Sequence, residues 1–186
     1  MASKVEIVNL ALQKLGVGAI ADLSSTTPQG LAANRVYDII RQAELRKHPW
    51  NFAIKRTTLA AETVGPEDGD WSNRFLLPVD CLRVLKRSVE NIKSVVEGQY
   101  IYSNEDIYYL RYVYDVTDTG LFDPLFVTSL AFALSVELCD MFTDNSTKKK
   151  ILIEEYKMSI RDARRYNAFE NMSYSGPTDP WINARL

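Results

Sequence analysis

The chain has few of the residue types on which many catalytic and metal sites depend. Among its 186 residues there are one histidine and two cysteines. The cysteines, Cys81 and Cys139, are far apart in the sequence, which favours reduced thiols of a cytosolically made protein over a disulfide framework. One histidine and two distant cysteines also cannot supply the closely spaced ligands of a zinc site. We therefore expect no metal and no cofactor.

A strong excess of charge and a long hydrophobic run are also lacking. The formal net charge is −2, which gives no overall attraction to nucleic acid or to an anionic membrane. The most apolar stretch, residues 125–138, contains two serines, a threonine and Glu137, and we expect it to be too short and too polar to span a bilayer. No apolar run follows a basic start at the N-terminus, so no signal peptide is expected. With 46% hydrophobic and 25% charged residues, the composition is that of a folded globular protein.

Three patterns that could carry chemistry have simpler structural explanations. Gly16 and Gly18 lack the preceding strand and the Lys-Ser/Thr of a phosphate-binding loop, and they are typical of a helix C-terminus. His48 and Cys81 could pair as base and nucleophile only with an activated thiolate and an orienting group, and we expect Cys81 to be packed instead. The acidic residues that could serve a hydrolase lie in a loop predicted to be flexible: Glu67, Asp68 and Asp70. We expect no catalytic residues.

The helices are predicted from their start and stop signals. Ser3 and Glu6 form a capping-box pattern, and a helical apolar stripe follows until Gly16. Thr27-Pro28 starts a second helix, which should run to about Arg46 because Pro49 stops it. The two should pack as an antiparallel pair. Asp123-Pro124 starts a third, mostly apolar helix that ends near residue 142, and a fourth runs from about residue 146 to 168.

Between the second and third helices the pattern is that of strands. Short runs rich in β-branched and aromatic residues cover 54–59, 82–88, 95–102 and 107–114, and six of the ten tyrosines fall between residues 100 and 114. Tyr108, Leu110 and Tyr112 would share one face of the last strand, opposite Ile107 and Tyr109. We expect one face to cover the helices and the other to meet a partner, although core packing alone is about as probable.

The predicted fold is therefore α+β and mainly α. It is a four-helix bundle with a small antiparallel β-sheet inserted between the second and third helices, followed by an extended C-terminal tail. The bundle would comprise residues 1–51 and 121–172, the inserted β element residues 52–120, and the tail residues 173–186.

Two junction segments, at residues 47–56 and 71–84, carry a resemblance to a known family. The first reads P-W-N-F-A-x-K-R after a helix and the second W-S-x-x-F-x-L-P-x-D-C-L-R-V. Together with residues 11–16, residues 122–126 and Trp181 and Arg185 of the tail, they resemble the tail tubular protein A family of tailed bacteriophages. These are packing and junction motifs, and the similarity runs nearly end to end.

The resemblance implies a non-enzymatic structural protein of the virion, made in the host cytoplasm. It would form a head-to-tail ring of about twelve copies that closes by rotation. The ring would join the portal to the tail tube or nozzle, and genomic DNA would pass through its lumen without specific binding and without any membrane contact. By analogy, the tail would insert into the portal, and loops of the β insertion would face the phage tail.

Composition indicates which residues would serve these contacts. The stretch 146–168 has seven basic and three acidic residues, whereas 122–145 has four acidic and no basic ones. Such complementary surfaces suit contacts between subunits, although a solvated helix is nearly as probable and contact with DNA remains possible. The predicted inter-subunit residues are Lys148, Lys149, Arg161, Arg164, Arg165, Asp140 and Asp144. The predicted portal-binding residues are Tyr174, Trp181, Ile182, Arg185 and Leu186. The predicted tail-facing loop residues are Glu67, Asp68, Asp70, Asn104 and Glu105.

Two other classes of function stay open on the sequence alone. A cell-wall or nucleotide hydrolase with an inserted lid would need a convergent polar cleft and would lose turnover on Glu67→Gln or Asp70→Asn. A non-viral protein-binding module would remain monomeric at every concentration and would ignore phage portal proteins.

Overall fold

The computed structural model describes residues 2–62, 70–85, 93–143 and 145–170. Within them there are four helices, six strands and two single turns of 3-10 helix at Asn51–Ala53 and Thr119–Leu121. The helices are α1 (Lys4–Leu15), α2 (Pro28–Lys47), α3 (Pro124–Phe142) and α4 (Ser146–Glu170). The strands are β1 (Ile54–Ala60), β2 (Asn73–Leu76), β3 (Cys81–Val84), β4 (Ser94–Glu97), β5 (Tyr100–Ser103) and β6 (Ile107–Tyr114).

The predicted helix boundaries are confirmed by their capping contacts. The Ser3 hydroxyl accepts a hydrogen bond from the Glu6 amide at 3.2 Å, and the Ser3 amide donates to the Glu6 carboxylate at 2.6 Å. Gly16 ends α1 in the left-handed conformation with φ 72°. Thr27 and Asp123 cap the next two starts, each followed by proline. These capping residues could be recognised in the sequence because a cap binds backbone amides within three residues of itself.

The predicted four-helix bundle is wrong. The core helix α3 packs against α1, α2 and α4, whereas α1 and α2 touch each other only slightly. The predicted antiparallel α1–α2 pair is therefore wrong too. Four residues spaced along α3 are fully buried: Phe126, Leu130, Leu134 and Leu138. Because α3 is apolar on most sides, the apolar stripes of the other helices are buried against it.

The prediction of a single inserted sheet is also wrong, because the strands form two three-stranded antiparallel sheets. The first sheet has the strand order β1-β6-β3 and the second β2-β5-β4. The predicted strand-like run 95–102 is divided at Gly98, which the sequence pattern indicates as a turn residue, and the structure has a hairpin there with Gly98 at φ 58° between β4 and β5. A second hydrophobic core lies in this β region and contains Phe75, Ile101, Tyr108, Leu110 and Tyr112. The Tyr108 face of β6 therefore packs within the β region and does not cover the helices.

The junction between helices and sheets is aromatic. Trp50 is fully buried, and its ring centroid lies 5.0 Å from that of Phe126. Phe52 contacts Phe126 as well, at 5.1 Å, and Val113 of β6 belongs to the same main core. The residue pattern at 47–56 thus fastens the β region to the helices by buried rings.

By length and composition, α3 is the one helix among the described residues that could cross a membrane. The expectation that this segment is too short and too polar is not supported by that measure. Its buried positions face three other helices, however. The apolar character of α3 is therefore accounted for by its place in the protein core.

Candidate interaction surface

The outward side of α4 carries an apolar stripe. Helix α4 buries Leu152, Ile160 and Ala163. On the opposite side Ile151 is 55% exposed, Met158 51%, Tyr166 59% and Phe169 54%. Ile151, Met158 and Phe169 are seven and eleven residues apart, so at 3.6 residues per turn they lie along one line of the helix. We call Ile151, Met158, Arg165, Tyr166 and Phe169 the α4 outer stripe.

The side chains of the stripe contact one another near its C-terminal end. The Tyr166 and Phe169 rings meet edge to face with centroids 6.4 Å apart, and the Arg165 guanidinium lies 5.7 Å from the Phe169 centroid. Single exposed apolar residues are ordinary on a protein surface, but aligned Met, Phe, Tyr and Arg are the residue types enriched in protein interfaces. This arrangement suits contact with another protein surface.

The basic residues predicted for contacts between subunits divide into two groups. Lys148 donates from Nζ to the Leu15 carbonyl at 2.6 Å, which satisfies the C-terminus of α1. Lys149 forms an ion pair with Asp140 of the same chain. Arg164 is half-buried, whereas Arg161 and Arg165 are exposed, and Arg165 belongs to the α4 outer stripe. Two of the predicted basic residues thus make contacts within the subunit, and Asp144 lies outside the described residues.

The loop residues predicted to face the phage tail are only partly described. Asp70 is exposed. Asn104 accepts a hydrogen bond from the Ser72 amide at 2.9 Å, and the Glu105 carbonyl accepts one from Asn73 at 2.9 Å. These contacts fix the turn before β6 against the start of β2. Glu67, Asp68 and all five predicted portal-binding residues, from Tyr174 to Leu186, lie outside the described residues.

A buried polar contact joins the end of α2 to the end of α4, and the sequence did not indicate it. The side-chain oxygen of Asn167 accepts from the Asn51 amide at 2.9 Å, and its nitrogen lies 3.0 Å from His48 Nε2. Because that nitrogen can only donate, His48 Nε2 must accept, which requires the neutral ring protonated at Nδ1. A polar residue on the buried face of a helix was the available signal, since Asn167 follows Ile160 and Ala163 at helical spacing.

The surroundings of His48 and Cys81 do not favour charged forms. Burial lowers the pKa of His48, and the nearby charges of Arg164 and Arg83 lower it further. Burial also raises the pKa of the Cys81 thiol, as does the adjacent Asp80 carboxylate. A neutral thiol is a poor nucleophile. The lone pair of His48 Nε2 is already occupied by the Asn167 side-chain nitrogen at 3.0 Å, so this pair does not have the arrangement of a base and an activated thiolate.

We expect acidification to destabilise the protein through His48. The unfolded chain takes up a proton at His48 near pH 6.5, whereas the folded chain does so only at lower pH, because its pKa is depressed. The stabilising contribution is therefore complete above about pH 6.5 and is lost as the pH falls toward the folded pKa. Urea unfolding at pH 7.5, 6.5 and 6.0 measures it.

The chain has no other histidine, so His48→Gln provides the matched control. The variant is expected to show a flatter dependence of the urea midpoint on pH over this range, because glutamine does not titrate. Equal slopes for the two proteins would contradict the assignment.

A second buried network holds α4 to α2. Glu44 is 2% exposed, and its two carboxylate oxygens each accept from the Tyr156 hydroxyl at 2.9 Å. Lys47 Nζ donates to the same carboxylate at 2.6 Å. Burial is the largest single influence on Lys47 and lowers its pKa, but the hydrogen bonds and charges of Glu44 and Tyr156 together outweigh burial and raise the pKa of Lys47. A buried carboxylate with these partners is a structural ion pair.

The described surface depressions and acidic groups offer no metal site. Among residues 2–62, 70–85, 93–143 and 145–170, no three His, Cys, Asp or Glu side chains are grouped so as to hold an ion. One depression is lined by Glu6, Asn9 and Gln13 of α1. Hydrogen bonds from Ser3 lower the pKa of Glu6, since its carboxylate caps the helix.

The sequence matches no protein-family model, and no curated protein is significantly similar to it.

Proposed function

We propose that the chain is a structural virion protein, a ring-forming head-to-tail adaptor that joins the portal to the tail tube or nozzle. The observation that carries the proposal is the α4 outer stripe, an exposed apolar line on a helix whose other side is fully used in the core. The junction motifs and their resemblance to the tail tubular protein A family supply the kind of assembly.

Burial of the α4 outer stripe would contribute enough free energy to support association between subunits. Fully burying one large apolar side chain contributes roughly 1.5–3 kcal/mol. Ile151, Met158 and Phe169 are each about half exposed, so together they offer on the order of 3 kcal/mol before the costs of association. A free energy of this size corresponds to a weak contact, which suits a ring in which the same contact is repeated between all neighbours. When the ring closes, the last of these contacts forms within a single assembly.

In this proposal the subunits contact one another through α4, and DNA passes through the lumen without specific binding. The C-terminal residues Tyr174, Trp181, Ile182, Arg185 and Leu186 would bind the portal. Tryptophan and arginine commonly dominate binding energy because they bury a large area and keep a polar group available. The protein would then reside in the virion at the portal vertex, with no catalytic activity.

The test replaces the stripe and measures assembly. The full chain with Met158→Ser and Phe169→Ser is mixed with the portal protein encoded in the same genome, and rings are counted by electron microscopy and sedimentation. We expect the double variant to lose ring formation, with at least about tenfold weaker association, which corresponds to roughly 1.4 kcal/mol. Ile39→Ser is the matched control, because Ile39 is 66% exposed on α2, away from the stripe.

A chain that ends at Met172 separates the two proposed contacts. It is expected to keep stripe-dependent association and to lose portal binding. Rings that form equally well with the stripe variant would refute the assignment of α4, and a wild-type chain that ignores the portal would refute the adaptor function.

A further inference from the structure

The first sheet has an outer face on which two arginines lie directly opposite each other. In the antiparallel register of β1 and β6, Arg56 pairs with Arg111, Thr58 with Tyr109 and Ala60 with Ile107. This face is opposite to the one that Tyr108, Leu110 and Tyr112 bury in the second core. This face is least exposed next to the helices: Val113 is buried and Arg111 half-buried, whereas Tyr109 is 55% and Ile107 49% exposed. We call Arg56, Arg111, Tyr109 and Ile107 the arginine face.

The pair of arginines is electrostatically unfavourable in the single subunit. Directly opposite residues of an antiparallel pair have Cβ atoms about 4.5–5.5 Å apart, and like-charged side chains placed directly opposite each other are destabilising. Within the described ranges, no carboxylate forms an ion pair with Arg56 or Arg111, and Arg111 Nε is buried without a hydrogen-bond partner. A buried donor that lacks an acceptor costs further free energy.

A carboxylate placed between the two guanidinium groups would relieve the repulsion between them. Each guanidinium can bind a carboxylate with paired hydrogen bonds. The neighbouring Tyr109 is 55% exposed and Ile107 is apolar, so the face combines arginine with aromatic and aliphatic surface. That composition is typical of protein interfaces, whereas binding to DNA phosphates usually needs a broader basic surface.

The C-terminal end of α3 presents the complementary chemistry. Glu137 and Asp140 are exposed in the last two turns of the helix, and Met141 beside them is 60% exposed. Carboxylates near a helix C-terminus are unfavourable because the carbonyl ends already carry negative partial charge. Asp140 is paired with Lys149, but among the described residues Glu137 makes no ion pair. Lys149 lies close enough for the Glu137 charge to raise its pKa, but its ion pair is with Asp140, so within the described ranges the Glu137 carboxylate itself is left without a direct partner.

The two surfaces cannot meet within one subunit. The N-terminal part of α3 lies against the junction, where Phe126 contacts Phe52 just before β1. Glu137 is eleven residues further along the helix, about 16 Å at 1.5 Å per residue, and the arginine face extends from the junction into the β region. Surfaces of opposite charge on different parts of a subunit are the requirement for a head-to-tail contact.

We propose that Arg56 and Arg111 bind the Glu137 carboxylate of a second copy of this chain. This inference rests on the proposed ring, and it names a contact between neighbouring subunits that is distinct from the α4 outer stripe. Insertion of Glu137 would place a negative charge between the two arginines. The repulsion between Arg56 and Arg111 destabilises the free subunit. Binding of the neighbouring subunit would remove this repulsion and so favour assembly.

A charge exchange tests the contact. Ring formation of the full chain with the same portal protein is compared for wild type, Arg56→Glu, Glu137→Arg and the double variant that carries both changes. We expect each single variant to weaken association at least about tenfold and the double variant to restore it to within about threefold of wild type. Arg35→Glu is the control, since it makes the same charge change at an exposed position of α2.

A second measurement, the stability of the free subunit, does not depend on ring formation. Arg56→Thr removes the repulsion from the free subunit, so its urea midpoint is expected to rise, whereas a lower midpoint would overturn the inference by showing that Arg56 is stabilised internally. Failure of the charge exchange in a chain that still assembles through α4 would overturn the inference and leave the adaptor function intact. No assembly of wild type would overturn both. Wild-type binding to a 12-base-pair duplex that is lost in Arg56→Glu would overturn it in favour of nucleic acid.

Discussion

Replacing Trp50 by alanine is expected to lower the free energy of unfolding by about 3–5 kcal/mol. Trp50 is fully buried, and its ring lies 5.0 Å from Phe126 and 4.7 Å from His48 between centroids. Its indole nitrogen also donates to the Glu44 carbonyl at 3.1 Å. The substitution therefore opens a cavity at the junction and removes a buried hydrogen bond, which together approach the total stability of many domains.

Urea unfolding followed by circular dichroism measures this effect, and two variants control it. Trp50→Phe retains much of the packing and loses the hydrogen bond, so its loss should be clearly smaller. Val79→Ala changes a fully exposed side chain and should stay within about 0.5 kcal/mol of wild type. A loss below about 1 kcal/mol for Trp50→Ala would mean that the junction collapses to fill the space.

Removing the carboxylate of Asp115 is expected to cost about 3 kcal/mol. Arg41 is 3% exposed, and its guanidinium forms an ion pair with Asp115 and donates to the Val116 carbonyl at 2.5 Å. Gln42 also donates to Asp115 at 2.8 Å. In Asp115→Ala the buried guanidinium keeps, within the described part of the chain, only the more exposed Asp38 as an ionic partner, at 3.3 Å. Most of the loss comes from leaving that charge insufficiently compensated.

Two comparisons separate this explanation from a general loss of packing. Asp38→Ala should cost less than about 1 kcal/mol, because Asp38 is 57% exposed and pairs with Arg41 across one helical turn. The double variant Arg41→Met with Asp115→Leu should be more stable than Asp115→Ala alone, since it removes the charge together with its partner. If the double variant is the less stable of the two, the charge explanation is wrong. Both are measured by urea unfolding at pH 7.5.

The local parts of the fold could be predicted from sequence. Ser3, Thr27 and Asp123 cap helices that begin where expected, and the predicted end of α3 at residue 142 is confirmed. These features depend on contacts within three or four residues, so the pattern contains both partners. The number of sheets was not predictable in this way, because β2 is only four residues long and pairs with β5 about 27 residues later.

For the candidate surfaces, too, the local features were predictable from the sequence and the contacts between distant residues were not. The sequence pattern predicted a basic exposed side for α4, but it did not predict the exposed apolar residues Ile151, Met158 and Phe169. Lys149 was predicted to face a neighbouring subunit, and the structure pairs it with Asp140 of its own chain. Which carboxylate a lysine meets depends on how α3 and α4 are positioned, and neither residue's local pattern specifies that.

By itself, the sequence determined where helices start and stop, that a β region lies between α2 and α3, and that aromatic residues fasten the two together. Only the tertiary structure decided that α3 is the shared core of the helices, that the strands form two sheets, and that Arg56 opposes Arg111. Apolar residues at a helical or strand period indicate that one face of the element is buried. They do not specify which other element packs against that face. Strand register, in turn, is set by contacts between residues that are distant in the chain.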